Sequence, residues 1–226
     1  MEGPAILPRL IRPRTATQSM AERLRGVYLI TPDCEDTERL LARTAAALAA
    51  GIALLQYRNK SADAPLLLYQ AERLHRLARE FKVPLLINDH IELARVIGAD
   101  GVHLGGDDVP LELARAALGA HALIGASCYA DPERARAAVQ RGADYIAFGA
   151  FATSATKPGA ARASPALLTN ASPLLVPRVA IGGIDALIAP QLVAAGADLL
   201  AVISFVYEAP DPASAVRALR NAFPDL

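Results

Sequence analysis

From residue 27 to residue 222, short apolar runs alternate with longer amphipathic stretches. Runs this short, bounded by Gly, Pro, Asn and Asp, suit buried strands. They fall at Val27–Thr31, Ile52–Tyr57, Pro84–Ile87, Gly101–Leu104, Leu123–Ser127, Tyr145–Gly149, Val179–Ile181 and Leu199–Ile203. Between them the leucine and alanine spacing predicts helices over Thr37–Ala50, Ala64–Phe81, Ile91–Ile97, Leu111–Leu118, Pro165–Leu168, Leu187–Ala195 and Pro212–Ala222. One more helix opens at Asp131-Pro132, a capping residue followed by a first-turn proline, and runs to Arg141. Gly51, Gly142 and Gly196 stand where helices should stop. The tripeptide Gly-Ala-Asp recurs at 98–100, 142–144 and 196–198, each time between a helix end and a strand, which suggests repeated two-unit modules.

Strands that alternate with helices run parallel, and eight such units predict an α/β fold of the closed (β/α)8 TIM-barrel type, a single domain over residues 26–226. An open doubly wound sheet is the alternative, but no Gly-rich fingerprint follows the first strand, which ends in Thr31-Pro32-Asp33. Residues 1–25 carry Pro4, Pro8 and Pro13 among Arg9, Arg12 and Arg14 and show no strand pattern. An Arg-rich, acid-poor start can mimic a transit peptide. It is read here as a loose or partly helical N-terminal tail outside the domain, with Met20 as a second start position.

In such a barrel the loops after the strands build the active site. Strand two delivers Gln56, Arg58 and Lys60, alternate residues that share one face and suit a polyanion such as a diphosphate. Strand three ends at Asn88-Asp89 and strand four at Gly105-Gly106-Asp107-Asp108. Carboxylates from neighbouring strand ends supply the hard oxygen ligands that Mg²⁺ takes together with phosphate and water, although Asp89 could equally cap a helix and Asp107-Asp108 form a turn. Strand five ends at Ser127-Cys128, with no His–Asp partner evident for either as a nucleophile. Strand six leads into the hydroxyl-rich loop Thr153-Ser154-Ala155-Thr156-Lys157-Pro158-Gly159. Strand seven ends Ile181-Gly182-Gly183-Ile184 and strand eight Val202-Ile203-Ser204, where barrels often hold a phosphate on main-chain N–H groups. None of His75, His90, His103 and His121 shows metal-ligand spacing, and none is assigned a catalytic role.

Composition narrows the partners. The chain of 226 residues is 53% hydrophobic, enough for one sizeable core. Its 23 basic and 23 acidic residues cancel, so no general field for nucleic acid or a membrane surface is expected. Trp is absent and aromatics are scarce, which argues against base-stacking platforms, and no apolar run could span a bilayer. Two cysteines without metal spacing fit a reducing, cytoplasmic setting. A homodimer is compatible with a barrel of this size.

Taken together, Gln56-Tyr57-Arg58-Asn59-Lys60, Asn88-Asp89, Val102-His103-Leu104-Gly105 with Asp108, Phe148-Gly149 through Thr156-Lys157, Ile181-Gly182-Gly183-Ile184 and Val202-Ile203-Ser204 resemble the thiamine phosphate synthase family over about residues 26–206. The resemblance implies a transferase that joins hydroxymethylpyrimidine diphosphate to a thiazole phosphate, or to its carboxylated tautomer, releasing pyrophosphate with the help of Mg²⁺. It implies that Gln56, Tyr57, Arg58, Asn59, Lys60, Asn88, Ser127 and Lys157 bind the pyrimidine diphosphate, with Arg58, Lys60, Ser127 and Lys157 catalytic. Asp89 and Asp108 would hold the metal, and Ser154, Ala155, Thr156, Gly183, Ile203 and Ser204 the thiazole phosphate. Two positions depart from the family pattern. Ser154-Ala155 stands where Thr-Pro is common, and Gly106 where Gln is common. Thiazole tautomerases share this barrel but lack the paired acids. A sugar-phosphate epimerase, a tryptophan-pathway barrel or an inert precursor-binding protein would share only part of the pattern.

Overall fold

The computed structural model describes residues 24–105, 110–152 and 163–226. Eight parallel strands close on themselves in chain order, each paired with its neighbours and the last with the first. They are β1 (Gly26–Ile30), β2 (Leu54–Tyr57), β3 (Leu85–Asn88), β4 (Gly101–Leu104), β5 (Leu123–Tyr129), β6 (Tyr145–Gly149), β7 (Arg178–Ile181) and β8 (Leu199–Val202). Around them lie α1 (Thr37–Ala49), α2 (Ala64–Glu80), α3 (Ile91–Ile97), α4 (Leu111–Leu118), α5 (Pro132–Gln140), α6 (Ala166–Asn170), α7 (Ala189–Ala194), α8 (Ser204–Tyr207) and α9 (Pro212–Arg220). The expected barrel is therefore the observed one. Among the described residues no helix is long and apolar enough to cross a membrane.

Strand alternation divides the apolar residues into two cores. Leu29, Leu55, Tyr57, Ile87, Val102, Ile124, Phe148 and Leu200 face the helices and join the larger cluster. Tyr28, Leu54, Leu86, Leu123, Tyr145, Val179 and Leu199 fill the barrel interior. Leu24, assigned to the tail by sequence, is 6% exposed and packs with the interior cluster. Beside it, the Arg25 guanidinium lies 5.4 Å from the Phe223 ring centroid. Leu24 thus adds to the interior core just ahead of the first strand at Gly26, and a single buried leucine has no periodicity to reveal it.

Helix starts follow the expected chemistry. Asp36, Asp63, Asp131 and Asp211 each accept a main-chain N–H of the first turn, and Pro132 and Pro212 follow two of them. The recurring Gly-Ala-Asp has a specific job as well. Asp100, Asp144 and Asp198 each accept an N–H from the start of the preceding strand at 2.8 Å, from Leu85, Ile124 and Arg178. Each also donates its own N–H to that same residue's carbonyl. One residue thereby ties two strand entries at the end opposite the site. Asp144 is the most enclosed of these ties by ion pairing, with Arg115 Nη2 at 2.6 Å and a carboxylate only 10% exposed. Removing it strands the Ile124 N–H, so Asp144→Ala is expected to lower unfolding free energy by about 2 kcal/mol, read as an earlier urea midpoint at unchanged slope.

Several boundaries differ from the sequence pattern by a residue or two. β5 continues past Ser127 to Tyr129 through a register shift against β6. The run after β8, Ser204-Phe205-Val206-Tyr207, is a single helical turn. The strand expected to reach Ile203 stops at Val202, since a strand continued past the barrel rim would find no neighbour to pair with.

Candidate functional site

All strands being parallel, every C-terminal strand end opens on one mouth. Period-two alternation sends Gln56 into the barrel, where it is 2% exposed, and carries Arg58 to the rim. The rim between β2 and β3 forms a cleft of about 350 Å³ lined by Arg58, Lys60, Asn88, Asp89 and His90 among others. The register that pairs Tyr57 with Ile87 places the two strand ends side by side. Lys60 Nζ stands 4.0 Å from Asp89 Oδ2, and Asn88 Nδ2 donates to the same oxygen at 2.6 Å.

Asp89 holds φ +60°, the left-handed region that Asp and Asn tolerate better than most side chains. Its N–H donates to the His103 carbonyl and its own carbonyl accepts from Ile91 N–H, so both neighbours enforce the turn. Strain of this kind clusters at working sites. The turn leaves the carboxylate in the same cleft as two cations.

Tyr57 and Asn59 take the other face. The Tyr57 hydroxyl donates to Gln70 Oε1 at 2.8 Å and Asn59 Nδ2 reaches the same oxygen at 3.1 Å. Gln70 of α2 is fully buried. These two side chains brace the cationic loop against α2, so what they could offer a ligand directly is chiefly main chain.

The interior holds a polar chain that sequence reasoning missed. Gln56 Nε2 bonds the Tyr28 hydroxyl. Tyr28 and Tyr145 hydroxyls lie 2.8 Å apart, Tyr145 is 2.8 Å from His103 Nδ1, and His103 Nε2 is 2.8 Å from Ser127 Oγ. Ser127 therefore does have a histidine partner, His103, backed by Tyr145 and not by the aspartate of a His–Asp pair. Ser127 and His103 lie on adjacent strands, in the paired stretch where His103 stands opposite Gly125, and no sequence spacing announces that. The signal available was the period-two pattern, which puts Tyr28, His103 and Tyr145 on inward positions. Burial pushes both tyrosine hydroxyls above their ordinary range. They stay neutral and act as hydrogen-bond partners, not as bases. The third member behind Ser127 and His103 is thus a neutral phenol where a nucleophilic triad would need a carboxylate.

Gly183 is exposed at φ +65° after β7, and Ile203 and Ser204 follow β8, so these three expected residues share the mouth. Both flanks of the strand-six loop are fixed there too, with Ala152 N–H on the Gly182 carbonyl and Ala163 N–H on the Ala150 carbonyl. Asp108, Ser154, Ala155, Thr156 and Lys157 lie outside the described residues, as do Gly106 and Asp107. Among the described residues no cluster of three or more His, Cys, Asp or Glu could hold a metal. Asp89 offers the hard oxygen chemistry suited to Mg²⁺, and its expected partner Asp108 belongs to the segment not described.

Cys128 is wholly buried against the helix layer, and burial pushes its thiol up to about 12. An alkylating reagent at about pH 8 is expected to modify half-buried Cys34 and to reach Cys128 only after unfolding, which intact mass would read as one adduct and then two.

Fold and mouth define a (β/α)8 barrel that gathers two cations, an amide and a carboxylate at the C-terminal ends of adjacent strands. A family model described as thiamine monophosphate synthase matches residues 27–206. The thiamine-phosphate synthase of Xanthomonas campestris pv. campestris strain 8004 is 57% identical over 202 residues, 89% of this chain and 97% of that protein. That of Xylella fastidiosa strain 9a5c is 53% identical over 199 residues, 88% of this chain and 85% of its own. The solved structure of a thiamine phosphate pyrophosphorylase from Pyrococcus furiosus superposes with a TM-score of 0.79 at 30% identity, covering 89% of this chain and 96% of that one. The chain belongs to the thiamine monophosphate synthase family.

Proposed function

We propose that this protein condenses 4-amino-2-methyl-5-hydroxymethylpyrimidine diphosphate with a thiazole phosphate, or its carboxylated tautomer, to give thiamine phosphate and pyrophosphate. The observation that carries the reading is the cleft where Arg58, Lys60, Asn88 and Asp89 converge, in a chain whose relatives at more than half identity bear the name of that activity.

The chemistry follows from charge. The bond from the pyrimidine methylene to the diphosphate oxygen breaks, and the departing pyrophosphate takes the electron pair. Arg58 and Lys60, with Lys157 from the strand-six loop, would stabilise that growing negative charge; electrostatic stabilisation of this kind is usually the largest catalytic contribution. The electron-rich aminopyrimidine bears the cation left on the methylene, and the thiazole nitrogen then forms the new carbon–nitrogen bond. With the carboxylated tautomer, CO₂ leaves as well. No protein nucleophile is required, consistent with Ser127 being linked through His103 to the neutral Tyr145 phenol and not to a carboxylate. Gln56 and Ser127, at the two ends of that chain, would contact the pyrimidine diphosphate. Asn88 would do so from the rim.

Asp89 and Asp108 are the residues that would hold Mg²⁺, whose contribution is to neutralise charge on the diphosphate. Gly183, Ile203 and Ser204, with Ser154, Ala155 and Thr156, would receive the thiazole phosphate on main-chain and hydroxyl donors. The two free thiols fit a cytoplasmic setting, and a homodimer would show by light scattering.

The test is pyrophosphate release with both substrates present, with and without EDTA. Release that needs both substrates and stops on chelation is the expected result. A tautomerase would release none, and full activity in EDTA would remove the metal from the scheme.

A further inference from the structure

The loop that carries both rim cations is tied to the end of β1. Thr31 Oγ1 accepts the Arg58 main-chain N–H and donates to the Arg58 carbonyl, each at 2.8 Å. Asp33 Oδ1 accepts from Arg58 Nη1 and from the Lys60 main-chain N–H, again each at 2.8 Å. One carboxylate oxygen thus holds the side chain of one cation and the backbone of the other. Asn59 Nδ2 adds a bond to the Cys34 carbonyl at 2.8 Å, so three consecutive loop residues are pinned to the segment after β1.

We infer that Asp33 is a positioning residue for the diphosphate clamp: it fixes Arg58 and the Lys60 backbone before the ligand arrives. The inference rests on the reading of the site given above.

Two alternatives have different consequences. If Asp33 served the fold, its loss would lower stability. But Asp33 is 42% exposed and Arg58 21% exposed at the side chain, and an ion pair so open to solvent contributes little to folding. If Asp33 were a placeholder that the diphosphate displaces, its loss would tighten diphosphate binding. The bond to the Lys60 N–H argues against this, since a placeholder for the guanidinium has no need to hold the neighbouring main chain. Nor does Asp33 exhaust Arg58. A guanidinium has five N–H donors, and this bond uses one. Holding a donor in its productive geometry ahead of binding removes the ordering cost at the moment of binding.

The experiment compares the full chain with Asp33→Ala, Asp33→Asn and Asp33→Glu. Asp33→Ala is expected to weaken calorimetric binding of inorganic pyrophosphate with Mg²⁺ by about tenfold. In the two-substrate assay it should raise KM for the pyrimidine diphosphate by about tenfold and lower kcat by a similar factor, leaving KM for the thiazole phosphate within about twofold. Its melting temperature should stay within about 2 °C of the parent. Asp33→Asn keeps an acceptor for the Lys60 N–H but loses the negative charge that faces Arg58, and should fall between. Asp33→Glu should recover part of the loss, which a general structural defect would not. Unchanged or tighter pyrophosphate binding in Asp33→Ala overturns the inference, as does an equal rise in KM for both substrates. Because the binding arm needs no turnover, a parent protein that made no thiamine phosphate would refute the proposed function while still reporting on Asp33.

Discussion

Asp89→Asn is expected to lose about 10²–10³-fold in turnover while melting within about 2 °C of the parent protein. Asparagine is isosteric, tolerates the φ of +60° that residue 89 holds, and keeps an acceptor for the Asn88 amide. Only the charge is lost, and with it the anionic oxygen that would serve Mg²⁺ and the ion-pair partner of Lys60. Asp89→Ala should be as inactive, and less stable by about 1 kcal/mol because alanine tolerates the left-handed turn less well. Chelation of the parent should reproduce the loss, and excess Mg²⁺ should recover Asp89→Asn only in part. An Asp89→Asn protein with parental kcat would remove residue 89 from the metal site. A large fall in melting temperature would instead make the residue structural.

The second large effect concerns the barrel interior. A Cβ on Gly125 would sit 1.9 Å from the Tyr145 ring and 2.2 Å from its hydroxyl. Tyr145 has no room to retreat. It is fully buried, bonded to Tyr28 on one side and His103 on the other, and stacked on the His103 ring with centroids 5.6 Å apart. Gly125→Ala is therefore expected to destabilise the fold by about 3 kcal/mol or more, the upper end for overpacking. Denaturant midpoints of Gly125→Ala, Tyr145→Leu and the double variant give the coupling directly. The double variant should be more stable than the sum of the two losses, since leucine vacates the space the new methyl needs. Strict additivity would mean that Gly125 is needed for some reason other than room for the ring. The same displacement would pull His103 from Ser127, so soluble Gly125→Ala should also be impaired in turnover.

Much of the site could be read along the chain because a barrel exposes its chemistry in sequence order. The residue just past each strand lies at the mouth, so Arg58, Lys60, Asn88, Asp89, Gly183, Ile203 and Ser204 follow from strand ends alone. Tyr57 and Asn59 show the limit of that rule. They belong to the same motif, yet alternation turns their side chains to Gln70 on the helix layer. Asp33 was visible only as part of the sequence ending the first strand, with nothing to mark it as the acceptor for two groups 25 and 27 residues away.

What the sequence determined by itself was the alternation of units, the helix caps, the Gly-Ala-Asp punctuation and the residues that each strand carries to its end. These are local properties, set by periodicity of two or 3.6 and by turn chemistry. Tertiary structure alone decided which inward residues meet. Tyr28 and Tyr145 touch across 117 residues of chain only because the sheet closes into a ring. Periodicity assigns a side chain to a face, but its partner across that face is set by closure and register. Hence the chain from Gln56 to Ser127 and the tie from Asp33 to the cationic loop appear only in the folded barrel.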